Sequence, residues 1–162
     1  MGFYDIAADL EQKTIKTYKN LAEQCVTHEG VRNILLMLAR DQEKHAAKIE
    51  EIRNKTCEGI DDTNVFKEAR RLFEEMQRKR ETFACDLDQL KLYRDARDLL
   101  SEKKSLYTKM SQEADCDEDR NLLLRLADEE KKQILVLDNI IEMVDRPNHW
   151  LEDAEFTHLE EY

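Results

Sequence analysis

Little in the sequence interrupts a helix: three glycines and one proline are spread over 162 residues, while Asp, Glu, Lys and Arg make up 39% and hydrophobic residues 41%. With so few breakers, long helices are the easiest way to bury the apolar residues, and the expected fold class is all-α. No apolar run reaches about 18 residues, so no membrane-spanning helix is expected. Met1 to Asp5 carries neither the basic nor the apolar region of a secretory leader, which sets the expectation of a soluble, cytoplasmic protein without a membrane partner. No Lys/Arg-rich run breaks a net charge of −11, so nucleic acid is not an expected partner. Cys-x-x-Cys pairs are also missing. Cys25, Cys57, Cys85 and Cys116 stand apart, which argues against zinc, rubredoxin-type iron or a redox disulfide and leaves them as reduced, largely buried small hydrophobes. The length suits one domain over residues 1–162.

What is present is helical periodicity. Apolar residues from Phe3 to Cys25 recur at steps of three and four, predicting a first helix that ends at His28-Glu29-Gly30. A second is predicted from Val31 through His45 and Ile52 to Cys57-Glu58-Gly59, with glycine as its C-terminal cap. The clearest break follows at residues 60–64. Val65 to Glu81 reads as a charged helical crossover, long enough to let the helices on either side of it run parallel. Leu87 to Met110 and Asp119 to Val144 are the last two long helices, separated by the acidic stretch 114–118. Pro147 is expected to end the helical part, leaving residues 146–162 as a tail that must dock to hide Trp150, Leu151 and Phe156.

The chain repeats itself. Tyr18-Lys-Asn-Leu-Ala22 matches Tyr107-Thr-Lys-Met-Ser111, and Leu38-Ala39-Arg-Asp-Gln42-Glu-Lys-His45 matches Leu126-Ala127-Asp-Glu-Glu130-Lys-Lys-Gln133. Two such hairpins make a four-helix bundle in which equivalent positions face each other across the core. In the first copy Gln42 stands three residues before His45, where a glutamate would complete Glu-x-x-His, the spacing that sets carboxylate and imidazole side by side for a bundle-core metal.

This repeated motif resembles the rubrerythrin branch of the ferritin-like superfamily, in which each half carries a Glu seven residues before a Tyr and then Leu-Ala-x-x-Glu-x-x-His. Here the first half reads Glu11 to Tyr18 and Leu38 to His45, the second Ala96 to Tyr107 and Leu126 to Gln133, and NHWLEDAEF is similar to the tail of short, rubredoxin-free members. The resemblance implies a ferritin-like bundle, a carboxylate-bridged di-iron centre, peroxide-reducing or ferrous-oxidising chemistry, and a homodimer. Carried over by position, the six ligand places read Glu11, Gln42, His45, Leu100, Glu130 and Gln133, against an implied four Glu and two His. Glu102 lies two residues, about 200° of helix, from Leu100 and is expected to point away.

Two carboxylates are few against the four or so positive charges of a metal pair. A full di-iron centre is therefore not expected. A single divalent ion (iron, zinc or manganese) on Glu11, His45 and Glu130 is the chemical alternative, and a metal-free hydrogen-bonded core is the other. Lys103 and Lys104, three and four residues past Leu100, offer a cation in place of the metal, or they extend to solvent. Tyr18 and Tyr107 sit where the resemblance implies tyrosines near the metals. His28, His149 and His158 have no partners at ligand spacing. The reading preferred from these residues is a catalytically silent, structural or partner-binding relative, with a peroxidase- or ferroxidase-type oxidoreductase or a mononuclear metal-binding protein as alternatives.

Overall fold

The computed structural model describes residues 2–25, 27–81 and 87–152. Six helices order the described residues: α1 Phe3–Gln24, α2 Glu29–Arg53, α3 Val65–Arg78, α4 Leu87–Gln112, α5 Asp117–Asp145 and α6 Pro147–Glu152. No strand occurs among them, and no helix there is long and apolar enough to cross a membrane.

Four helices carry the bundle. α1 packs on α2 and α4 on α5, and the hairpins join mainly through α1 against α4. The inward faces follow the periodicity: Ala7, Leu10, Ile15, Tyr18, Leu21 and Ala22 on α1, and Leu123, Leu126, Ala127, Val136, Leu137 and Ile140 on α5. The buried apolar residues form two clusters. One includes Tyr18, Leu38, Leu100 and Val136, the other Ala7, Ile49, Tyr107 and Leu126. α1 and α5 pass from the second cluster to the first, and α2 and α4 from the first to the second, so α2 and α4 run parallel, as the long crossover through α3 permits. Between the clusters every long helix contributes polar residues to one buried layer: Glu11 and Thr14, Gln42 and His45, Lys103, and Glu130 and Gln133.

The helix ends correct several expectations. α2 stops at Arg53, before the glycine expected to cap it: Lys55 takes the left-handed conformation (φ 61°), and Thr56 N–H donates to Glu51 O at 2.8 Å while Lys55 N–H donates to Ile52 O at 3.1 Å. This pair of bonds satisfies the last carbonyls without a glycine. α3 ends in the same way on Arg80 (φ 53°), at Arg78 rather than Glu81. Glu29 and Gly30 belong to α2 and do not form the linker expected there. A Cβ on Gly30 would collide with the Met76 side chain of α3, so the small residue serves close packing. α5 begins at Asp117, two residues early, because three acids fit the positive end of a helix dipole.

Pro147 starts a helix instead of ending the helical part. It occupies the first helical position, where its missing N–H costs nothing. The short α6 presents Trp150, 3% exposed, edge-on to Phe73 of α3 with ring centroids 6.0 Å apart, and Gln77 donates to Trp150 O at 2.6 Å. Phe156, His158 and the tail from residue 153 lie outside the described residues, as do Cys85 and the side chain of His149. Of the other cysteines only Cys25 is buried, with Sγ 3.3 Å from Tyr93 Oη; Cys57 and Cys116 are half-buried, contrary to expectation, because both sit in the connections that flank helix ends.

Candidate functional site

The polar layer brings together residues from four helices. Glu11, Gln42, Lys103 and Glu130 have no measurable exposure, Gln133 has 1% and His45 3%. Lys103 is the hub. Its Nζ lies 3.2 Å from Glu11 Oε2 and 3.2 Å from Glu130 Oε1, and it also donates to Gln42 Oε1. Lys104, one residue on, is half-buried and lines a groove between α4 and α5, while Glu102 is exposed. The 100° step between neighbours on a helix thus decides which lysine enters.

The remaining donors complete the layer. His45 Nδ1–H donates to Glu130 Oε1 at 3.0 Å, and Gln42 Nε2 donates to Glu130 Oε2 at 2.9 Å and to Gln133 Oε1 at 2.8 Å. Tyr107 Oη donates to Glu11 Oε1, Tyr18 Oη to Gln133 Oε1 at 2.9 Å, and Gln133 Nε2 to Leu38 O at 3.3 Å. Leu100 is fully buried against the larger apolar cluster and adds no polar atom. His28 is half-buried at the start of α2, outside this layer.

Electrostatics separates the two carboxyls. Burial pushes Glu130 upward, but the Lys103 ammonium and the His45 and Gln42 hydrogen bonds more than offset it and draw it down to about 2. Glu11 is held above the ordinary carboxylate range: burial and the Glu130 charge outweigh Lys103 and Tyr107. His45 loses by burial and gains more from Glu130 and Glu11, so its imidazolium is favoured. Tyr18 and Tyr107 are held well above the usual phenol range by burial and the nearby carboxylates, and both act as hydrogen-bond donors.

A family model for rubrerythrin matches residues 3–140, which is most of the chain and includes both copies of the motif. The chain belongs to the rubrerythrin family. No curated protein and no solved structure is a match. Rubrerythrins usually bind iron, yet among the described residues no group of three or more His, Cys, Asp or Glu is placed to hold a metal ion. The donor set does not fit a carboxylate-bridged metal pair. All four oxygens of Glu11 and Glu130 face a protein donor, and a cation stands between the two carboxylates.

Reading the sequence missed the neighbours of His45 on α2. Arg40, Asp41 and Lys44 line a cleft that His45 also borders. The signal was available: Asp41 and His45 are four residues apart, on one helix face.

Proposed function

We propose that this rubrerythrin-family protein is redox-silent, a bundle whose polar core is closed by its own lysine instead of by metal and which serves a structural or partner-binding role. The observation that supports this most is Lys103 Nζ, equidistant at 3.2 Å from Glu11 and Glu130. Two carboxylates buried without a counter-cation would cost several kcal/mol each, and the ammonium supplies that charge where relatives use metal ions. His45 Nδ1–H adds a second donor on Glu130 Oε1. The oxidoreductase alternative needs bridging oxygens free to leave their present donors. The proposal includes the cytoplasmic setting and homodimer that membership suggests; gel filtration against monomer and dimer standards reads the latter.

Metal content tests the reading. The purified chain, loaded with excess ferrous iron under anaerobic conditions and desalted, is expected to retain neither iron nor zinc. The variant Gln42→Glu, Leu100→Glu, Lys103→Thr, Gln133→His, which restores the family's ligand pattern and gives position 103 the residue of its counterpart Thr14, is expected to retain iron under the same treatment. Two irons on the parent chain with peroxide-dependent turnover would overturn the proposal, and one ion would favour the mononuclear alternative.

A further inference from the structure

In a chain with a net charge of −11, one groove inverts the sign. It runs between α4 and α5 with a volume of about 700 Å³, and it is lined by Lys104 and Lys109 on one wall and Lys131 on the other, with no carboxylate among its lining residues. Four other clefts of the described surface all hold acids: Asp41 beside α2, Glu29 near Gly30, Glu68 between α2 and α3, and Asp115 beside Tyr4. Helix geometry places the cations here. With Lys103 turned into the core, Lys104 lies 100° further round α4, at the seam with α5.

The two walls differ. On α4, Ser101, Ser105, Thr108 and Gln112 recur at steps of three and four and form a polar stripe about 16 Å long, flanked by Lys104 and Lys109. Lys104 Nζ makes no hydrogen bond or ion pair with a described residue. Thr108 Oγ1 donates to Lys104 O at 2.9 Å, which leaves Ser101, Ser105 and Gln112 as the donors of the stripe. Lys109 Nζ stands 5.3 Å from the Phe3 ring centroid, a contact that positions its charge without cancelling it. On α5, half-buried Ile134 and Leu135 lie beside Lys131 and supply apolar surface. Neighbouring Lys132 points elsewhere, to Glu129 at 3.0 Å.

We propose that this groove binds an acidic peptide segment of a partner protein, its carboxylates set on Lys104 and Lys131 and an apolar side chain on Ile134 and Leu135. Cations and donors spaced along a groove match carboxylates spaced along a chain, and about 16 Å takes roughly five extended residues. Neither wall presents a helix N-terminus, whose free N–H groups would gather round a compact phosphate, so the positive charge is spread rather than focused. At about 0.15 M salt the Debye length of about 8 Å screens the acidic remainder of the surface from a segment lying in the groove. The inference names a partner for the partner-binding role proposed above and rests on that role.

Amide chemical shifts of the labelled full chain, at about 0.15 M salt, report binding of an end-blocked Glu-Glu-Leu-Glu-Glu peptide. Titration to about 10 mM fills a millimolar site to roughly nine-tenths. Saturable shifts confined to residues 101–112 and 131–135 are expected, and the peptide with glutamine in place of glutamate should give none. Lys104→Gln and Lys131→Gln should each weaken binding about threefold and Lys104→Glu about tenfold, whereas Lys13→Gln, at an exposed ion pair on α1, should leave it unchanged. The proposal is overturned if the peptide does not shift the groove, if the Lys104 and Lys131 variants bind as tightly as the parent, or if tripolyphosphate binds more tightly than the peptide, which would make the groove a small-anion site. Shifts at these residues that grow with protein concentration in the absence of peptide would assign the groove to a second copy of this chain and overturn it as well. Iron loading reads the core separately: a chain that retains iron yet binds the peptide refutes the metal-free reading alone, and one that excludes iron and ignores the peptide refutes the groove alone.

Discussion

The two hairpins of this bundle carry similar sequences but place different chemistry at the same depth. In α1 and α2 the counterpart positions hold Glu11, Thr14, Gln42 and His45; in α4 and α5 they hold Leu100, Lys103, Glu130 and Gln133. The first hairpin supplies a carboxylate and an imidazole, the second a carboxylate and an ammonium. Thr14 stays within its own helix, donating to Leu10 O at 2.7 Å, whereas Lys103 crosses to both hairpins. The tyrosines diverge for the same reason. Tyr107 finds the Glu11 carboxylate, but the counterpart of Glu11 is Leu100, so Tyr18 turns to the Gln133 amide. Leucine at one of two matching positions and glutamate at the other thus sends the two tyrosines to different acceptors.

The sharpest way to break this comparison is at Lys103. Lys103→Met strands two buried carboxylates and should destabilise the chain by about 3–5 kcal/mol at neutral pH, read from denaturant midpoints. Lys104→Met, one residue away at the half-buried groove, should stay within about 0.5 kcal/mol. Equal midpoints for both variants would refute the ion-pair account.

The two carboxyls should also titrate in opposite senses. Glu130, lowered from an ordinary 4.5 to about 2, contributes stability that is present above its unfolded value and lost as pH falls toward 2, of order 3 kcal/mol in all. Glu11, raised by burial, works the other way and gives up stability as pH climbs through its folded value. His45 is raised too, so its contribution is complete below its unfolded value and fades as pH rises past the folded one. Stability against pH should therefore rise on leaving strong acid and decline again as pH passes the ordinary histidine value of 6.5. Glu130→Gln should flatten the acid limb, and His45→Gln the later decline.

A smaller effect ranks the tyrosines. Tyr107→Phe removes a donor from a buried carboxylate and should cost about 1.5–3 kcal/mol, while Tyr18→Phe removes one from a neutral amide and should cost nearer 1 kcal/mol. Equal costs would mean that the hairpins remain equivalent where the hydroxyls bind.

Much of the fold was legible because burial leaves a periodic trace: the inward rows of α1, α2, α4 and α5 and the repeat between them can be read residue by residue. The helix ends were less so. Lys55 and Arg80 close their helices in a conformation that favours glycine, and nothing local announces it. At the site, the register that placed Leu100 in the core and Glu102 outside it agrees with the structure, where Leu100 is buried and Glu102 exposed. The cleft beside His45 was not legible because its second wall, residues 60–65, is distant in sequence.

The sequence by itself determined that the chain is an all-α bundle, and that Leu38 to His45 and Leu126 to Gln133 are similar stretches of it. Hydrophobic spacing and residue identity are local properties, written along the chain. Which of two adjacent lysines turns inward, which acceptor each tyrosine reaches, and that His45 sets one nitrogen on Glu130 and encloses the other were decided only by the tertiary structure. Those outcomes depend on distances between helices, and in a low-dielectric core a charge is held wherever opposite charges from other helices converge on it.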